Sequence, residues 1–253
     1  MTATKTDVHD FWQQGSCGES DGASLAEQLE SQARIRYQLE PHLAPFARFA
    51  DGRERDVLEV GVGMGADHLE WARSRLRSLA GLDLTERAVE HTSRRLALAG
   101  LRSDLRVGDA EHLPFPDASF DLVYSWGELH HSPDTARAVR EVRRVLRPGG
   151  IARVMIYHKW SAVGLMLWTR YGLLALESPG TKAYTVNEAR ALFSDFRRVE
   201  ARSQLSFGDL LEGKVGQRHR GPALTLARKA WPRRLLKTIA SSYGLALLAE
   251  AVA

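Results

Sequence analysis

A carboxylate followed by three closely spaced glycines forms the strongest chemical signal in the sequence. Glu59 lies in the short apolar run 56–60, which predicts a buried β-strand. The glycines that follow it are Gly61, Gly63 and Gly65. Because these positions carry no side chain, the backbone can turn sharply and a ligand can come close to it. A helix predicted from about Asp67 to Arg77 would aim its first N–H groups at that ligand.

Two ligands fit this turn, and Glu59 favours one of them. A dinucleotide fits because Gly61, Gly63 and Ala66 satisfy the G-x-G-x-x-G/A pattern. The other ligand is S-adenosylmethionine (SAM), whose methionine end carries an ammonium group and a carboxylate. Glu59 would repel a pyrophosphate, whereas it could accept a hydrogen bond from the ammonium group. The residues therefore favour SAM, and a turn that merely joins a strand to a helix is the plain structural alternative.

Two further acids follow the second and third predicted strands. Asp83 lies 18 residues past Gly65, about where an acid accepts hydrogen bonds from both ribose hydroxyls. Leu84 ends the same strand, and we expect it to contact the cofactor too. After the third strand, Asp109 could accept from an adenine amino group, and Ala110 could offer its backbone N–H to the ring. These residues predict a nucleoside site at the carboxyl edge of the sheet.

The next two predicted strands deliver candidates for acid–base chemistry. Ser125 and Trp126 leave the carboxyl end of the fourth strand, and His130 and His131 follow them. Imidazoles titrate near neutral pH, so the two histidines are the best candidates for a general base. Tyr157, at the exit of the fifth strand, is a second-line candidate. The alternative is that the histidines only brace the loop by hydrogen bonds.

These motifs occur together in the order and spacing of a known family. The shared motifs are Glu59-x-Gly61-x-Gly63-x-Gly65, Asp83, Asp109-Ala110, Phe120-Asp121-Leu122-Val123, His130-His131 and Arg147-Pro148-Gly149-Gly150. Over roughly residues 55–157 the chain resembles class I SAM-dependent methyltransferases. Within them it looks most like the small-molecule branch that includes the ubiquinone/menaquinone-biosynthesis type.

The resemblance implies a role for each motif. Glu59 and the glycine turn would hold the methionine end of SAM, and Asp83 would hold the ribose. Asp109 with Ala110 would hold the adenine. Ser125 and Trp126 would lie along the methionine and the sulfonium. The product of the donor would be S-adenosylhomocysteine.

The resemblance also implies an α/β fold with a Rossmann-like, seven-stranded, mostly parallel sheet. Helices would cover both faces, and the last strand would be antiparallel. Residues 1–50 look helical and predict an N-terminal cap. The methyltransferase domain would then span 51–253, with lid or insertion segments at about 160–184 and 208–240.

An acceptor pocket is expected beside the cofactor, because the sheet supplies only the cofactor half of the site. We expect the N-terminal helices and the segment after Lys159 to roof it. Its predicted aromatic lining consists of Trp12, Tyr37, Trp126, Tyr157 and Trp168. Such a lining suits a mostly apolar acceptor.

Composition narrows the class of protein further. The 253 residues are 44% apolar and 26% charged, as in ordinary globular domains. No apolar run approaches the ~20 residues that span a bilayer, so stable membrane insertion is not expected. A net charge of +4 is too small to argue for nucleic acid, and no signal peptide is visible. The lone Cys17 fits a reducing cytoplasm, and no Cys/His cluster indicates a metal site.

Three functions compete at this point. The favoured one is methylation of a small molecule at oxygen, nitrogen or carbon. A macromolecule methylase is less favoured, because Ser125-Trp126-Gly127-Glu128 replaces the Asn/Asp-Pro-Pro-Tyr/Phe loop typical of amino-group DNA methylases. The third is non-methylating SAM chemistry, such as cyclisation or elimination, on the same fold. The oligomeric state is left open.

Overall fold

The computed structural model describes residues 4–15, 24–161, 180–206, 208–210, 229, 231–239 and 243–253. Trp168 and Cys17 lie outside these described residues, as does most of the two expected lid or insertion segments.

A mixed β-sheet occupies the centre of the molecule. In chain order its strands are β1 (Asp56–Val60), β2 (Ser78–Asp83), β3 (Asp104–Val107), β4 (Phe120–Trp126), β5 (Leu146–His158), β6 (Ala183–Tyr184), β7 (Arg198–Gln204) and β8 (Ala246–Val252). They lie side by side in the order β3-β2-β1-β4-β5-β8-β7, and the short β6 pairs with β5. Strands β1 to β6 pair in parallel, whereas β8 runs antiparallel to both β5 and β7. The predicted mostly parallel sheet with an antiparallel last strand is confirmed, with β6 as an addition to the seven expected strands.

Helices flank the sheet and supply the N-terminal segment. They are α1 (Lys5–Gln13), α2 (Leu25–Leu39), α3 (Leu43–Ala47), α4 (Ala66–Ala72), α5 (Glu86–Leu98), α6 (Thr135–Val145), α7 (Val186–Leu192) and α8 (Arg233–Ile239). Short 3-10 turns occur at Phe49–Gly52 and Leu129–His131. Side-chain caps begin two of these helices: Thr85 caps α5, and Thr185 with Glu188 forms a capping box at α7.

Alternation along the strands places a buried core on each face of the sheet. Leu58 of β1 packs in the same apolar cluster as Val142 of α6. Its neighbour Val57 belongs to a second cluster that contains Leu43 of α3 and Trp71 of α4. Because successive strand residues point to opposite faces, the two clusters cover opposite sides. The sheet is therefore held between two helical layers, and its carboxyl edge is left to form a site.

Helix α4, which follows the glycine turn, is shorter than predicted. It ends at Ala72 instead of Arg77, and Arg75 adopts a left-handed conformation with φ of 55°. The chain turns back there because Leu76 packs against Gly52, where a Cβ would come within 2.5 Å of the leucine side chain. Tertiary packing overrides the helical pattern of the sequence at this point.

Candidate functional site

A cleft opens at the carboxyl ends of β1, β2 and β3, the edge at which parallel sheets bind ligands. Helix α1 and the 3-10 turn after β4 supply its opposite wall. The residues that line it are Lys5, Val8, Val60, Gly61, Leu82, Asp83, Leu84, Gly108, Asp109, Ala110, Glu128, His131, Ser132 and Pro133. The predicted cofactor residues Gly61, Asp83, Leu84, Asp109 and Ala110 are brought together here, with the predicted catalytic residue His131.

The glycine turn has the left-handed backbone that its sequence predicts. Gly61, Gly63 and Gly65 have φ values of 85°, 51° and 72°. Their N–H groups are already used inside the protein. Gly61 donates to the Leu82 carbonyl at 2.7 Å, Gly63 to Asp83 Oδ2 at 3.0 Å, and Gly65 to the Val62 carbonyl at 2.8 Å. A cradle for a pyrophosphate would need such groups to be available.

Glu59 lies beneath this turn and is buried, with 2% of its surface exposed. Its Oε2 lies 2.9 Å from His68 Nδ1, and His68 Nε2 lies 2.7 Å from the Ser103 hydroxyl. Burial raises the pKa of Glu59 well above its ordinary value and lowers the pKa of His68 to about 3. Glu59 is therefore paired with an uncharged imidazole, and it is not among the residues that line the cleft.

Asp83 links the glycine turn to the cleft. One carboxylate oxygen accepts from the Gly63 N–H, and the other accepts from the N–H and the hydroxyl of Thr85 at 3.0 and 2.9 Å. Burial nevertheless raises the pKa of Asp83 above its ordinary value. The residue thus fixes the shape of the turn and also presents its carboxylate to the cleft.

Asp109 is covered by the N-terminal helix. The Lys5 ammonium contacts Asp109 and lies 2.8 Å from Glu111. Burial raises the pKa of Asp109, but the hydrogen bond from Lys5 and the Glu111 N–H outweigh it, so the pKa lies below its ordinary value. An ionised Asp109 at the end of β3 suits the predicted adenine contact, and Lys5 occupies one of its oxygens in this arrangement.

Glu128 is a cleft residue to which the sequence analysis assigned no role. Its side chain lies directly on Gly61, where any added Cβ would overlap it. Burial, with the neighbouring charge of Asp83, raises the pKa of Glu128 to about 8. Its position between the end of β4 and the two histidines was the only sequence signal that could have pointed to it.

The predicted catalytic residues form an aromatic cluster at the end of the cleft. The His130 ring lies 4.2 Å from the His131 ring and 4.1 Å from the Tyr157 ring, measured between centroids. Trp12 of α1 meets His131 edge-on at 5.2 Å. Burial lowers the pKa of His131 to about 4 and that of His130 well below its ordinary value, so both rings are neutral at pH 7. Of the two histidines, only His131 lines the cleft.

The structure places three other predicted site residues away from the cleft lining. The Ser125 hydroxyl is buried and has no hydrogen-bond partner among the described residues. Trp126 packs on His42 and Phe46, with ring centroids 5.5 and 6.1 Å apart. The Tyr37 hydroxyl donates to Asp67 Oδ1 at 3.0 Å. Their contacts with cofactor or acceptor therefore stay predictions.

A buried ion pair beside the glycine turn was missed by the sequence analysis. Asp67, with 3% of its surface exposed, accepts from Arg36 Nε and Nη2 at 3.0 and 2.7 Å. It also accepts from the hydroxyls of Tyr37 and Tyr124. Four donors on one carboxylate hold α2 and β4 against the start of α4. This network positions the glycine turn from behind.

The described residues contain no group of three His, Cys, Asp or Glu side chains that could hold a metal ion. A search of the same residues for helices long and apolar enough to cross a membrane found none.

Comparison with known proteins identifies the central part of the chain. Residues 58–154 match the family described as a methyltransferase domain. The 27-O-demethylrifamycin SV methyltransferase of Amycolatopsis mediterranei is 38% identical over 96 residues, which are 37% of this chain and 35% of that protein. The fatty-acid O-methyltransferase of Mycolicibacterium smegmatis is 39% identical over 122 residues, 48% of this chain and 43% of that protein. The chain thus matches less than half the length of these curated relatives.

A solved structure extends the likeness of fold beyond that central part. The phosphoethanolamine N-methyltransferase 2 of Haemonchus contortus, solved with phosphomonomethylethanolamine and S-adenosylhomocysteine, superposes with a TM-score of 0.62. At 18% identity the match covers 91% of this chain and 61% of that one. The family match begins in β1 and ends in β5, so it contains every strand that borders the cleft. Residues 58–154 therefore carry a methyltransferase domain, and the chain shares its fold with a solved methyltransferase.

Proposed function

We propose that this protein transfers the methyl group of SAM to a small-molecule acceptor at oxygen, nitrogen or carbon. The observation that carries the proposal is the charge of the cleft. The carboxylates of Asp83 and Asp109 line it together with the Glu128 carboxyl group, which is protonated at pH 7 in the free protein, against a single lysine, Lys5, which is already paired. Carboxylates attract the sulfonium and ammonium of SAM and repel the phosphates of a dinucleotide. The internal use of the glycine N–H groups points the same way.

The proposed cofactor roles follow the cleft from one end to the other. Asp109 and Ala110 would hold the adenine, and Asp83 with Leu84 would hold the ribose. The glycine turn would hold the methionine end, with Glu59 braced beneath it by His68. Ser125 and Trp126 remain expected along the methionine, as the family resemblance implies.

The acceptor is proposed to enter beside the aromatic cluster of His130, His131, Tyr157 and Trp12. These rings suit a largely apolar molecule that carries one reactive polar group. The relatives named for 27-O-demethylrifamycin SV and for fatty-acid O-methylation support an oxygen acceptor on a small molecule.

The chemical demands on the chain are small. When bound, SAM supplies a methyl group on a sulfonium, and the sulfur leaves as a neutral thioether. The chain must align the acceptor and, for a hydroxyl, receive its proton. His131 is the proposed base because it is neutral and lines the cleft, whereas His130 is not among the lining residues. Its lowered pKa makes it a weak base, so alignment would carry most of the rate.

The test is turnover of SAM with a panel of apolar alcohols, phenols, fatty acids and amines. We expect S-adenosylhomocysteine and a methylated acceptor in equal amounts, with a mass gain of one methylene on the acceptor. Asp83→Ala should abolish most turnover, while Asp104→Ala, at an exposed position of β3, is the matched control. Methylthioadenosine as the product would instead indicate cyclisation or elimination of SAM. Methylated RNA, DNA or protein with no reaction on the panel would indicate a macromolecule methylase.

Two further expectations are carried by the sequence alone. A cytoplasmic location is proposed from the lone Cys17, and an absence of nucleic-acid partners is proposed from the modest net charge of +4.

A further inference from the structure

We propose that Glu128 receives the ammonium group of the methionine end of SAM and releases a proton as that group arrives. The inference rests on the proposed function, because it names the residue that recognises one part of the donor. It assigns to Glu128 a contact that the sequence alone suggested for Glu59.

The position of Glu128 is the first argument. Its Cβ and Cγ cover the face of Gly61, the first glycine of the turn, so that no side chain could be added there. Glu128 also lines the cleft together with Asp83 and His131. Its side chain therefore lies against the glycine turn, which is proposed to hold the methionine end, and in the same cleft as the proposed ribose residue Asp83.

The second argument is that the other acidic side chains near the glycine turn already have hydrogen-bond or ion-pair partners. Glu59 is paired with His68 and does not line the cleft. Asp83 already accepts from Gly63 and Thr85. Asp109 is paired with Lys5. By contrast, no described residue donates a hydrogen bond to the Glu128 side chain, so its acceptor capacity is available to a ligand.

The charges around Glu128 explain why a proton is released when the ligand binds. The titratable groups that share the cleft with it are Asp83 at the end of β2, Asp109 at the end of β3, Lys5 of α1 and neutral His131. Burial and Asp83 raise the pKa of Glu128 to about 8, so the free protein keeps this carboxyl protonated at pH 7. A cation in contact with it favours the ionised form, so binding must expel the proton.

The experiment compares two ligands that differ only at the methionine end. S-adenosylhomocysteine carries the ammonium group, while methylthioadenosine keeps the adenosine and sulfur and lacks it. Calorimetry at pH 7 in buffers of different ionisation enthalpy gives both the affinity and the number of protons released. We expect wild-type protein to release close to one proton with S-adenosylhomocysteine and none with methylthioadenosine.

The variants then locate the proton and the contact. Glu128→Gln should weaken S-adenosylhomocysteine by about 10- to 100-fold, as for loss of a charged hydrogen bond, and abolish the proton release. It should change methylthioadenosine affinity by less than threefold. Asp83→Asn is the matched control, because it should weaken both ligands alike. Glu59→Gln should leave the proton release intact.

Several results would overturn the inference. If Glu128→Gln weakens the binding of both ligands equally, Glu128 contacts the ribose or stabilises the fold and does not bind the ammonium group. If that variant still releases a proton, Glu128 is not the group that loses it. If that variant does not fold, the wild-type protein still provides a test. Its affinity for S-adenosylhomocysteine relative to methylthioadenosine must rise with pH up to about 8, and a ratio that does not change with pH refutes the inference. Wild-type protein that binds neither ligand would refute the proposed function instead.

Discussion

Helix α1 is expected to open and close over the cleft as a unit, and Val8→Ala tests this. Val8 has 2% of its surface exposed and lines the cleft beside Lys5. Removing two buried methyl groups costs about 1.6 kcal/mol at about 0.8 kcal/mol each. If that cost is borne by closure alone, the open population of α1 rises roughly 15-fold, since 1.4 kcal/mol is a factor of ten. The free energy of global unfolding should change by less than about 0.5 kcal/mol.

Hydrogen exchange of the amides in Lys5–Gln13 measures the opening, and urea denaturation measures global stability. The matched control is Val142→Ala, a fully buried helix valine in the sheet core. It should lower global stability by about 1–3 kcal/mol and leave exchange in α1 unchanged. The reasoning fails if Val8→Ala lowers global stability as much as the control does. In that case α1 is part of the cooperative core and cannot act as a lid.

The other predictions concern the Asp67 network and the candidate site. Asp67→Asn should cost about 1.5–3 kcal/mol of unfolding free energy by urea denaturation, because the partly buried Arg36 guanidinium loses its charged hydrogen bonds to Asp67 and keeps, among the described residues, only Glu40, at 3.9 Å; a loss below 1 kcal/mol would contradict this. Burial opposes ionisation of Asp67, but the charge of Arg36 outweighs burial and lowers the pKa of Asp67. The stability that the ionised Asp67 contributes is therefore present above about pH 4 and should be lost as the pH falls further. On a hydroxyl acceptor, His131→Ala should lower kcat by ~100-fold with little change in SAM affinity, and the reverse pattern would make it a binding residue. His130→Ala should lower kcat less than His131→Ala does. If His131, with a pKa of about 4, is the base, kcat of the wild type should stay level from about pH 6 to 9.

The sheet and the cofactor edge could be predicted from the sequence because their signals are local. Glu59, Asp83 and Asp109 each follow or end an apolar run, and parallel strands bring their carboxyl ends to one edge. This edge needs only the order of strands and the turn residues between them. The antiparallel direction of the last strand was implied by the family resemblance.

The rest of the site depends on contacts between distant parts of the chain. Lys5 reaches Asp109 across 104 positions of sequence, and Arg36 reaches Asp67 across 31. The sequence around Lys5 and around Arg36 contains no local pattern from which the partner of either residue could be predicted. Tyr37 shows the same difficulty: it was predicted to line the acceptor pocket, and no local pattern indicates that its hydroxyl donates to Asp67.

Direct binding of the donor tests the central claim most simply. Calorimetry with S-adenosylhomocysteine and with nicotinamide adenine dinucleotide, under the same conditions, asks whether the acid-lined cleft selects the ligand that carries an ammonium group over the one that carries a pyrophosphate. We expect S-adenosylhomocysteine to bind with a Kd on the order of 1 μM, roughly −8 kcal/mol, and the dinucleotide to bind far more weakly. Binding of the dinucleotide with no binding of S-adenosylhomocysteine or SAM would contradict the account.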